Sequence, residues 1–381
     1  MKLYGRTSIS EFLGDFIVYR NLVPVDPRLP ALSEIAKRIG IPKNVIPRKY
    51  EKVYGQVIVE LLSSARTLIG SNKEIRRLIY LGDTKMNDTT AFLNICAAGN
   101  FEGMAFIGDE NSAPSKIEEA KEGNCIVCSA NRWSLLSEFD RLCRSRGFIA
   151  DEQTAVISDI DKTILGARGR NDAVIDRVRV DAVERIISEK MTGRFNHHAF
   201  QTAYDMLKKP EYHTFTADNQ DYLVYLCLAV GSGVTSLDSL TAKIKTGAVK
   251  SFQEFIFQVE KNVAALPADM RAIHNEVYEF VRAGDPTPFK TFRTNEFKLT
   301  VERMGHAEDD MPVPELLQTE ILLTEEVRDF ILNRKLQGSI VFGLSDKPDE
   351  ASLPTGDLAV RGFLPIHQII TLSVGQELGK E

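Results

Sequence analysis

The chain has 381 residues, enough for two domains of ordinary size, and its 26% charged and 43% hydrophobic content is that of a globular protein rather than a disordered or fibrous one. A net charge of −6 with no long basic block argues against nucleic acid or an anionic membrane as the main partner. The longest mid-chain apolar run, Tyr222 to Val230, is too short to cross a bilayer, and the amino-terminal segment is broken by Glu11, Asp15 and Arg20, so a cytoplasmic enzyme is expected.

Residues 1–30 carry turn formers and no clear period. The segment 31–40, after Pro30, reads as a helix closed by Gly40, and a very short strand is expected around Val45 and Ile46 before the basic run 48–52. Residues 53–70 have apolar positions at helical spacing and a closing Gly70. Leu78 to Leu81 is a strand candidate, followed by Gly82, Asp83 and Asp88. A helix over Thr89 to Ala98 follows, then strands at Gly103 to Ile107 and Cys125 to Ser129.

The stretch 155–165, AVISDIDKTIL, is the most informative of the chain. Its apolar run is the signature of a buried parallel strand, and such strands carry functional residues at their carboxyl ends. Alternation along a strand continued through Asp161 puts Asp159 and Asp161 on one face. Two carboxylates at one strand end are costly unless a cation or a proton lies between them, and Mg²⁺ suits carboxylates, water and phosphate oxygens. Beyond it, residues 166–330 are mostly helical in pattern, with clear amphipathic stretches over 251–266 and 269–284 and a proline-rich loop over 285–293. A last buried strand, Ile340 to Leu344, ends at Ser345.

The sequence DIDKT after an apolar strand resembles the first motif of the haloacid dehalogenase (HAD) superfamily, Asp-x-Asp-x-Thr. The resemblance implies an α/β fold with a Rossmann-like parallel sheet. It makes Asp159 the nucleophile that accepts a phosphoryl group and Asp161 the general acid/base, roles that suit both carboxyl groups. GDTKMND, with Asp83 and Asp88, resembles the acidic fourth motif of the same superfamily, which implies a Mg²⁺ held by Asp159, the Asp161 carbonyl and Asp83, with Asp88 supporting. Ser345 would be the second-motif hydroxyl. The third-motif lysine would be Lys52, with Lys49 the alternative.

The order of these motifs is unusual, because the acidic motif precedes the nucleophile. The simplest account is a circular permutation, which is physically cheap when termini lie close together at the surface. Residues 1–165 and 331–381 would then form a HAD-like core, and 166–330 a helical cap inserted after the nucleophile motif. In the competing layout the order is ordinary, Asp346 and Asp349 supply the acidic motif, and residues 1–150 are a separate domain.

These readings together suggest a Mg²⁺-dependent phosphatase acting on a small phosphorylated metabolite. An inactive HAD-like binding module and a phosphomutase are the alternatives. Caps of the resembling family close over the site and choose the substrate, and Thr163, Arg168, Lys290 and Arg293 are the candidates for substrate contact, with Arg170 beside them. The five cysteines, odd in number and irregularly spaced, give no disulfide framework; Cys125 and Cys128 read as core thiols. The adjacent His197 and His198 point in different directions on a helix and are poor partners for one metal.

Overall fold

The computed structural model describes residues 1–376 apart from 43, 44, 192, 194 and 218. Ten strands occur among them: β1 (Lys2–Thr7), β2 (Ile17–Val18), β3 (Arg77–Gly82), β4 (Glu102–Gly108), β5 (Ile117–Glu122), β6 (Cys125–Ala130), β7 (Thr154–Asp159), β8 (Leu323–Thr324), β9 (Ile340–Leu344) and β10 (Thr371–Gly375). Seven form one sheet in the order β2-β9-β7-β3-β4-β6-β5. Every neighbouring pair in it is parallel except β5 with β6. The remaining three form a small sheet, β1-β10-β8.

A mostly parallel sheet needs both faces covered, because its crossover helices pack on them. Here Leu78, Tyr80, Ala155, Ile157 and Phe342 face helices 52–68 and 87–99, which contribute Val57, Ile58, Leu61, Leu62, Phe92 and Ile95 to one buried cluster. An aromatic chain contributes to the core as well: Phe106 packs on Trp133 and Phe139, and Phe139 packs on Phe330 of helix 325–336. The strands β3, β7 and β9 are buried along nearly their whole length, as their continuous apolar runs require. The architecture is thus α/β with a Rossmann-like sheet.

The chain divides into two compact units, 1–178 with 300–381, and 179–299. The second is narrower than the expected 166–330. Near the start of the expected span, the Asn171 side chain donates to the carbonyls of Leu317 and Glu320 and accepts from the Leu322 amide, all within the first unit. Near its end, β8 pairs with β10, also within the first unit. The second unit is helical, with helices 197–207, 220–231, 237–245, 252–260 and 268–282.

Two local expectations change. Val45 and Ile46 do not form a strand; the outermost parallel strand is the two-residue β2, inside the segment where no period was visible. Residues 285–293 are not all loop, because a helix starts at Lys290 and runs to Val301. All five cysteines are buried and unbridged.

Candidate active site

The three central strands end together. Leu81 of β3 is in register with Ser158 of β7, and Asp159 of β7 with Leu344 of β9. The next residues, Asp83 and Ser345, therefore leave the sheet at the edge where Asp159 ends it. This is the edge at which ligands bind in open α/β sheets.

Asp83, Asp88 and Asp159, all buried, bring one carboxylate oxygen each within 4.8 Å of one another. Gly82 makes this possible, since a Cβ there would lie 2.7 Å from the Asp88 Cβ. The Asp88 carboxylate folds back over the turn and accepts from the amides of Asp83 and Thr84, at 3.1 and 2.9 Å. Its other oxygen accepts from the Tyr80 hydroxyl at 2.9 Å and from the Lys49 ammonium at 3.0 Å. Both Asp88 oxygens are thereby engaged, so Asp83 and Asp159 are better placed than Asp88 to offer oxygens to a cation.

Lys49 is buried and bridges two of the three acids. Its ammonium donates to Asp159 Oδ1 at 2.5 Å as well as to Asp88. The side chain is delivered by close helix packing: Gly55 of helix 52–68 lies where a Cβ would fall 2.4 Å from the Asn94 carbonyl oxygen, and the Asn94 side chain donates to the Lys49 carbonyl at 3.4 Å. Lys52, the expected third-motif lysine, is instead exposed at the first position of that helix. It falls on the solvent side of the helix entry, while Lys49 precedes the helix and passes beneath it.

The electrostatics follow from burial. Asp83 is pushed up to about 7, by desolvation and by the Asp88 charge, against the pull of Arg168. Burial likewise raises Asp159 well above the usual carboxylate range; Lys49 opposes this and the other two acids add to it. Burial would raise Asp88 too, but the Lys49 charge and hydrogen bonds from Lys49 and Thr84 hold it below the ordinary value. Desolvation would lower Lys49, yet the Asp159 and Asp88 charges keep it well above the usual lysine range. Three buried acids face two cationic groups, and the raised acids mark a site short of positive charge.

The other expected residues are distributed differently. Asp161 lies past the strand end, in a turn where the Leu165 amide donates to the Ile160 carbonyl and Lys162 adopts a left-handed conformation. It is outside the three-acid cluster, and it lines a cavity of about 20 Å³ with Ser345, Lys347, Ser352 and Tyr19. Such a cavity is about the size of one water molecule. Ser345 is buried beside β2, its amide donating to the Val18 carbonyl and its hydroxyl accepting from the Lys347 amide. Thr163 is completely buried, so it belongs to the inside of the turn rather than to a substrate-facing surface; Thr324 donates to its carbonyl.

Of the expected substrate-contact residues, the charged ones are engaged within the protein. Arg168 is one-third exposed and donates to Asp83 at 2.5 Å. Arg170 is buried in ion pairs with Glu110 and Glu326. In the 179–299 unit, Lys290 pairs with Asp285 at 2.7 Å, and Arg293 is buried between Asp221 and Glu296, at 3.0 and 2.7 Å. A buried guanidinium needs such partners, so these charges serve the unit's own packing. The sequence reading missed Lys347, which is largely buried and shares the Asp161 cavity, because the run SDKP resembles an ordinary turn. Nothing local in the sequence marks the Tyr80 hydroxyl as a partner of Asp88.

The three buried carboxylates could hold a metal ion. Comparison of the chain with protein-family models, with curated proteins and with solved structures finds no match.

Proposed function

We propose that the protein is a Mg²⁺-dependent phosphohydrolase that acts on a small phosphorylated metabolite through an aspartyl-phosphate, built on a HAD-like core in permuted order. The observation that carries this reading is the Lys49 ammonium between Asp159 and Asp88, with Asp83 beside them at the shared strand edge. A nucleophilic carboxylate beside a buried lysine and further acids is what phosphoryl transfer to a side chain needs. The permuted order is supported by adjacency: β3, which delivers Asp83, borders β7, which delivers Asp159, and β9, which delivers Ser345, borders it on the other side.

In this reading an Asp159 oxygen attacks phosphorus and the ester P–O bond breaks, while the Asp161 carboxyl passes its proton to the leaving oxygen. Asp161 then takes a proton from water, the water oxygen bonds to phosphorus, and the acyl-phosphate P–O bond to Asp159 breaks. Lys49 opposes the protonation of Asp159 that burial favours and would neutralise phosphoryl oxygens as charge gathers on them; Ser345 would donate to one of those oxygens. Asp159 and Asp83, with the Asp161 carbonyl, would hold the Mg²⁺. The cation would neutralise phosphate charge that Lys49 alone leaves uncompensated.

The test is phosphate release from an aryl phosphate and from a panel of phosphorylated sugars, acids and nucleotides, with and without Mg²⁺. Wild-type protein is expected to release phosphate only with the cation, and Asp159→Asn to release none while its thermal melt stays cooperative. Turnover retained by Asp159→Asn, or none by wild type on any substrate, would overturn the proposal.

A further inference from the structure

The loop that follows the nucleophile strand returns a cation to the site. The backbone of Arg168 is pinned on both sides. Its amide donates to the Lys162 carbonyl at 2.8 Å, and its carbonyl accepts from the Glu110 amide and from the Trp133 indole, each at 3.1 Å. The next residue, Gly169, is left-handed at φ +74°, and a Cβ there would lie 1.8 Å from the Glu110 carbonyl oxygen. Arg170 then anchors the chain to Glu110 and Glu326. With its base immobilised, the guanidinium reaches Asp83 Oδ2 at 2.5 Å and stands 3.5 Å from the Thr84 hydroxyl.

We propose that Arg168 is a built-in counter-ion for Asp83, which competes with the divalent cation for that carboxylate and so sets the cation affinity of the site. This rests on the metal-site reading of Asp83 and Asp159 given above. No bond is made or broken: the cation exchanges for a charge-assisted hydrogen bond, and the freed guanidinium turns toward its solvent side, where it is already one-third exposed. The attraction of Asp83 for a cation is reduced as long as Arg168 neutralises it, and two like charges on one carboxylate repel. Arg168 acts through Asp83 and is a positioning residue.

The test reads binding rather than turnover. Mn²⁺ is titrated calorimetrically into wild type, Arg168→Gln, Arg168→Lys and Asp83→Asn at one low ionic strength, with thermal melts to confirm folding. Arg168→Gln is expected to bind Mn²⁺ about tenfold tighter than wild type, a shift of ~1.4 kcal/mol. Arg168→Lys, which keeps the charge without the planar fork, should fall between them. If Asp83→Asn weakens binding but neither Arg168 variant tightens it, the counter-ion role is overturned and the metal site stands. If Asp83→Asn binds as wild type does, or nothing binds, the metal-site reading fails and takes the counter-ion role with it.

Discussion

Lys49 and Lys52 are three residues apart, yet only the first reaches the acids. A lysine buried between two carboxylates is held by both, and removing it strands two acids away from water. Lys49→Met should therefore lower turnover by at least ~10²-fold, the scale for losing a group that stabilises developing charge. Lys52→Ala, at an exposed helix start, should leave turnover within about twofold and stability within ~0.5 kcal/mol. Steady-state phosphate release and thermal melts on both variants check this, and the opposite ranking would return the role to Lys52. The choice between the two was not legible locally. Both follow the same stretch at the entry of the same helix, and what separates them is burial: Lys49 is buried and Lys52 exposed.

At the scale of elements, the site depends on how closely helix 52–68 lies on helix 87–99. One helix is preceded by Lys49, and the other begins at Asn87, next to Asp88. Gly55 permits the approach, and a methyl group there would meet the Asn94 backbone, which cannot swing aside as a side chain tip can. Gly55→Ala should cost ~1–3 kcal/mol, as overpacking does, and displace Lys49 enough to reduce activity as well. Chemical denaturation together with phosphate release would show it; unchanged values in both would mean the helices separate without consequence. The long helices and buried strands were readable because their apolar positions repeat over many residues. β2 was not, since two residues carry no period, and neither were β8 and β10, whose pairing joins residues about 50 apart in the chain. The expected loop over 285–293 is shorter for a related reason: Pro286 and Pro288 precede the helix start and leave Lys290 onward free to wind.

On the scale of the whole molecule, the 179–299 unit carries its own pH response. His274 is fully buried, with Nδ1 2.5 Å from the Tyr225 hydroxyl and Nε2 2.9 Å from Glu260. Burial depresses its pKa below the ordinary 6.5, and Glu260 only partly opposes this. The unfolded chain then binds a proton at a higher pH than the folded one, so stability is complete above ~6.5 and is lost as pH falls through the depressed value. Melts from pH 7.5 to 5.5 should show a fall in Tm that is shallower in His274→Gln; equal slopes would assign the response to other groups.

DIDKT, GDTKMND and the apolar strands before them were enough to announce an α/β sheet with acids at its carboxyl edge, because short-range pattern encodes burial and turn chemistry. The partners of those acids were another matter. Lys49 and Arg168, which meet Asp159 and Asp83, lie 110 and 9 residues from Asp159 in the chain. Which of several lysines and arginines meets a carboxylate, and which is spent on an internal ion pair as Arg293 is, depends on packing between elements that are distant in the chain. Charge is a property of the residue; its desolvation, and so its partner, belongs to the fold.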